Sequence, residues 1–146
     1  MDSQVWANVI SSGIGVVAIV GLIIQSHSTR KQVKLQNFVE YTKRYQEVVL
    51  NFPENINEDN FTFDSLEEEL RSKTMRYMRA YFDLCFEEYT LHDMKFIDKD
   101  LWKIWKGGMK VAFSKPAFQQ AWKTIKQDTE FGEKFETFLK NPDTQH

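Results

Sequence analysis

Residues 5–24 read VWANVISSGIGVVAIVGLII, a run without a single charged side chain. At about 1.5 Å of rise per residue, ~20 helical residues span the ~30 Å hydrocarbon core of a bilayer. The remainder is polar enough that mean hydropathy over the whole chain is still -0.50. The run therefore predicts a membrane anchor over residues 1–28, a helical domain over 29–142 and a disordered tail over 143–146. A cleaved signal peptide would open on a basic segment, but Met1, Asp2, Ser3 and Gln4 supply no Lys or Arg, although Ser26-His27-Ser28 has a small-x-small form. A buried core helix rarely stays uncharged for so long. A retained single-pass anchor is the reading adopted, with the lipid bilayer as its first partner.

The flanks set an orientation. Arg30, Lys31 and Lys34 follow the run, then Lys43 and Arg44, while only Asp2 precedes it. The positive-inside rule expects the N-terminus outside and the C-terminal domain in the cytoplasm, at the inner membrane of a cell. Trp6 falls at the outer headgroup level, where aromatic residues collect. One cysteine, Cys85, leaves no intramolecular disulfide and suits a reducing compartment. Within the anchor, Ala7, Ser11, Gly15 and Ala18 recur within about 80° of one helical face. Small residues on one face let backbones approach closely. The anchor is thus expected to pack on a partner helix or a second copy.

Beyond the anchor the hydrophobic spacing is helical and no period-two alternation is sustained, which predicts an all-α domain of about five helices. The first covers about 29–51, with Leu35, Phe38, Val39, Tyr45, Val49 and Phe52 on one side, and stops before Pro53. No Pro or Gly lies between Gln25 and Leu35, so this helix can continue the anchor. After an acidic, Asn-rich loop over 53–63, Ser65 and Glu68 form a capping-box pattern for a helix to about residue 91. Asp98 caps a third helix over 99–113, Ser114 a fourth to about 128, and a last one covers about 130–140. All twelve Phe lie beyond the anchor, the composition of a packed domain and not of a disordered tail.

Few clusters carry chemistry. Asp83, Cys85, Glu87, Glu88, His92 and Asp93 crowd together, but Glu-x-x-His, the spacing of a helical dinuclear metal site, does not occur. Glu87 and Glu88 are expected to meet solvent or basic partners, and His92 to complement its helix's C-terminal dipole. Cys85 sits among aromatics and carboxylates, which raise a thiol pKa, and reads as packing. Phosphate loops, zinc spacings and nucleophile elbows are all missing. Gly107-Gly108 reads as a kink or a close helix contact. No metal, cofactor or enzymatic activity is expected, and a net charge of -2 argues against nucleic acid as a partner. Arg71 and Lys73 follow Glu67 and Glu69 at the spacing of helical ion pairs. On the third helix Lys99, Lys103, Lys106 and Lys110 form a basic stripe opposite Leu101, Ile104, Trp105, Gly108 and Ala112. These lysines are candidates to face lipid, against the simpler reading of a solvated helix face.

The run Phe82-Asp83-Leu84-Cys85-Phe86-Glu87-Glu88-Tyr89, the Ile97-Asp98 turn, and Trp102, Trp105, Gly108-Met109, Phe113, Pro116, Phe118 and Trp122 resemble a group of small, functionally uncharacterised bacterial proteins. Those have one N-terminal membrane helix and a helical cytoplasmic domain, so the resemblance, over residues 30–140, implies the same fold and placement. It carries no active site. The expected function is that of a membrane-anchored interaction, scaffolding or accessory protein at the cytoplasmic membrane face. The alternative is a membrane effector of a stress or phage response that oligomerises through its anchor.

Overall fold

The computed structural model describes residues 3–144, with side chains described from 22 to 143. Five α-helices follow in order: α1 (Ser3–Val49), α2 (Glu68–Asp93), α3 (Lys99–Phe113), α4 (Pro116–Ile125) and α5 (Glu133–Lys140). Short 3-10 turns lie at Phe63–Ser65 and Pro142–Thr144. Among the described residues there is no strand, and the protein is all-α. The chain divides into two compact units, Met1–Val39 and Glu40–His146.

The uncharged run and the helix expected from residue 29 form one element, α1. In the first unit its described side chains, Leu22 to Val39, are exposed apart from the half-buried Asn37. Among the described residues, no helix is long and apolar enough to cross a membrane. Most of the uncharged run, residues 5–21, lies outside the described side chains.

The second unit is an aromatic core wrapped around α2. Phe82 stacks on Phe113 with ring centroids 5.5 Å apart and lies 4.9 Å from Trp122. Phe135, from α5, touches Phe86, Tyr89, Trp122 and Phe131 at 5.3 to 6.2 Å. Tyr81 meets Phe52, Phe113 and Phe118. Offset and edge-on aromatic pairs are each worth about 0.5–1.5 kcal/mol beyond the area they bury. Clustering them on one helix orients every other element of the unit.

Local chemistry explains the helix ends, and corrects several expectations. The capping box does not form: Ser65 donates its hydroxyl to the Thr62 carbonyl at 2.7 Å within the 3-10 turn. Leu66 and Glu67 are then extended, and α2 starts uncapped at Glu68. Arg71 turns to the Leu66 carbonyl and to Asp64, 3.9 Å away, instead of Glu67. The loop before α2 is not simply solvated, because Ile56 and Phe61 are buried in the core. Asp98 does cap α3, its carboxylate accepting from the Leu101 amide at 2.8 Å. Ser114 caps nothing: its hydroxyl donates to the Val111 carbonyl at 2.6 Å, and extended Lys115 precedes Pro116, the first residue of α4. The last helix begins at Glu133, not near 130, since Gly132 has φ 84°. Phe131 is still buried ahead of it.

Faces also differ from expectation. On α1, Val48 is the buried residue, whereas Leu35, Phe38, Val39 and Tyr45 are exposed. On α3, Trp102 and Met109 are buried and Ile104 is exposed. Gly107 and Gly108 lie inside the continuous helix α3 and make no close helix contact: a Cβ at either would meet nothing within 4 Å.

Candidate functional site

Two features of the second unit combine polar chemistry with access. The first is a cluster where the end of α1 meets α2. Arg44 grips Glu87 with both guanidinium arms, at 2.6 and 3.1 Å. Tyr41 donates to the same carboxylate at 3.4 Å, and its ring lies 5.1 Å from Trp105 of α3. The hydrogen bond from Arg44 holds the Glu87 carboxyl below its ordinary range. Both partners of this ion pair are more than a third exposed, so it contributes about 1 kcal/mol or less and acts mainly to set register.

Glu88, one residue on, behaves differently. It is 6% exposed, at a position three after Cys85 and seven after Tyr81 on the buried stripe of α2. Burial pushes its carboxyl up to about 8, opposed by the Arg44 charge and assisted by Glu87. A carboxyl kept neutral near pH 7 can donate a hydrogen bond as well as accept one. Tyr81 and Cys85, buried on the same side, are both driven well above their ordinary values, chiefly by burial. Cys85 is a buried, packed thiol. The expectation that Glu88 meets solvent is corrected; Glu87 alone has the basic partner.

The second feature is an open groove of about 760 Å³ above Tyr81 and Phe118. Tyr45, Val49 and Phe52 form one wall, Pro53, Glu54 and Ile56 a second, and Gly107, Gly108 and Val111 of α3 a third. The two glycines leave this wall without side chains, which is what opens it. Apart from Glu54, Asn57 and Lys115 the lining is apolar, tyrosine hydroxyls aside. Such a surface can hold an apolar side chain or a helix edge but offers no convergent polar groups to orient a reaction.

The predicted site residues are scattered. Ala7, Ser11, Gly15 and Ala18 lie on α1, outside the described side chains. Lys99, Lys103 and Lys110 are exposed on α3 and Lys106 is half-buried. Lys110 pairs with Asp143 at 2.6 Å. His92 lies in the last turn of α2 with its ring stacked on Trp102, centroids 4.3 Å apart, and burial lowers its pKa. Among the described residues no group of three His, Cys, Asp or Glu is placed to hold a metal ion. The groove and the burial of Glu88 escaped the sequence reading. Helical spacing from Met78 through Tyr81 and Cys85 was the available signal for Glu88. The groove arises from three separate elements and left none.

No known protein family, curated protein or solved structure matches this chain.

Proposed function

We propose that this protein is a single-pass membrane protein whose helical domain works at the cytoplasmic membrane face as an interaction, scaffolding or accessory module, without enzymatic chemistry of its own. The observation that carries the reading is the series of exposed large apolar side chains on α1: Leu22, Ile23 and Ile24, then Val33, Leu35, Phe38 and Val39. The first three continue the uncharged run begun at Val5 and call for lipid. The others lie beyond Arg30 and Lys31, in water, and call for protein. Exposed apolar side chains grouped in this way mark interaction sites more often than bare surface. The small residues Ala7, Ser11, Gly15 and Ala18 extend the same logic into the bilayer, where close backbone packing replaces hydrophobic driving force. The basic flank supports a cytoplasmic placement of the domain.

The test is capture from membranes. Full-length protein solubilised in mild detergent should carry a stoichiometric protein partner or a second copy of itself. Replacing Leu35 and Val39 together with Glu should release that partner while the protein stays in the membrane fraction. A protein that is monomeric and partnerless in membranes at native abundance, or a complex indifferent to the double substitution, contradicts the reading.

A further inference from the structure

The turn joining α2 to α3 is built unlike an ordinary surface turn. Phe96 donates its amide to the Leu91 carbonyl and Lys95 donates its own to the His92 carbonyl, each at 2.9 Å. This is the hydrogen-bond pair of a Schellman helix end, in which the left-handed position is normally Gly and the next residue tucks against the helix. Here the left-handed residue is Lys95, with φ 62°. The following Phe96 does not tuck: it is 62% exposed, and Met94 before Lys95 is 55% exposed. Two large apolar side chains thus stand in solvent on a turn whose backbone is closed by hydrogen bonds, so they are presented and not merely loose.

Charge around them is mixed, with lysines outnumbering carboxylates. Lys95, Lys99 and Lys103 are exposed and Lys106 is half-buried; at the end of α2, burial lowers the pKa of His92, Asp93 opposes this and Lys106 adds to it. The nearby carboxylates are mostly engaged. Asp93 faces Lys134 at 3.6 Å, Asp98 caps α3, and Asp143 is taken by Lys110; Asp100 is the exposed exception. Exposed apolar side chains followed along the chain by exposed lysines match the interface of an anionic bilayer, where the apolar groups enter the headgroup–acyl boundary and the lysines meet phosphates.

We propose that the α2–α3 turn and the adjoining lysines of α3 form a second membrane contact, with Met94 and Phe96 inserted in anionic lipid and Lys95, Lys99, Lys103 and Lys106 against its headgroups. The contact rests on the anchored reading for its setting, since a tether raises the local concentration of lipid surface without adding any contact of its own.

The experiment uses the full chain with Met94→Cys carrying an environment-sensitive nitrobenzoxadiazole label; buried Cys85 is the only other thiol. The protein is placed in nanodiscs of zwitterionic lipid or of lipid containing phosphatidylserine. In anionic discs the label should shift to the blue and brighten several-fold, and 1 M salt, where the Debye length is ~3 Å, should reverse this. Replacing Lys99, Lys103 and Lys106 with Gln should abolish the shift without loss of helical circular dichroism. A label unchanged on anionic discs, equally shifted on zwitterionic ones, or still shifted in the triple variant overturns the proposal; the first outcome would leave the patch to an acidic protein. Failure to remain on zwitterionic discs would overturn the anchored reading alone, because the label would still report on anionic lipid.

Discussion

Glu88 is the residue whose chemistry departs furthest from its sequence surroundings. Its carboxyl is raised to about 8 by burial, so the folded protein holds a proton that the unfolded chain releases near 4.5. Between those values the native state binds more protons than the unfolded state, and stability falls as pH rises, by up to about 1.4 kcal/mol per pH unit. His92 acts in the opposite sense, since burial lowers its pKa, and that effect fades as pH rises past 6.5. From about pH 7 to 8 the Glu88 slope dominates. Unfolding of the full chain in detergent micelles, followed by tryptophan fluorescence, should show falling stability across that interval. Glu88→Gln, which keeps the shape and removes the titration, should flatten it and be more stable than the parent at pH 8. An unchanged slope in the variant would mean Glu88 is ionised in the fold. Glu87, its neighbour, illustrates how little separates the two environments: one position round the helix exchanges a buried stripe for the Arg44 guanidinium.

At the scale of elements, α3 was the most legible in the sequence and α2 the least. The Asp98 carboxylate can only accept, and it takes the Leu101 amide, so its cap and the 99–113 bounds survive folding. Ser65 and Ser114 carry the same capping signal but spend their hydroxyls on carbonyls three residues back, a local bond that competes with helix capping. The buried stripe of α2 includes two polar residues, Thr74 and Glu88; the hydroxyl of Thr74 satisfies itself on the Leu70 carbonyl at 2.7 Å. On α1 the periodicity was read as a core-facing side, whereas Leu35 and Val39 are exposed. A hydrophobic pattern states that a face is to be buried, not against what. If that face and the small residues of the anchor serve one interface, Gly15→Leu should weaken self-association or partner capture by obstructing backbone approach. Ile14→Leu, on another face, should leave it near the parental level. Crosslinking in membranes reads both, and equal losses, or none, would make the small residues incidental.

For the molecule as a whole, the all-helical class followed from spacing alone, while the groove required α1, the 53–57 loop and α3 to be assembled first. Under the function proposed above, the chain is held in a membrane with its aromatic-cored domain on the cytoplasmic side. A reporter that fluoresces only when folded in the cytoplasm, and one that is active only in the periplasm, can each be fused after His146 and expressed in bacteria. The account predicts cytoplasmic-reporter signal alone, in a membrane fraction that resists alkaline carbonate. Periplasmic-reporter activity would reverse the orientation drawn from Arg30, Lys31 and Lys34, and release by carbonate would contradict the anchor itself.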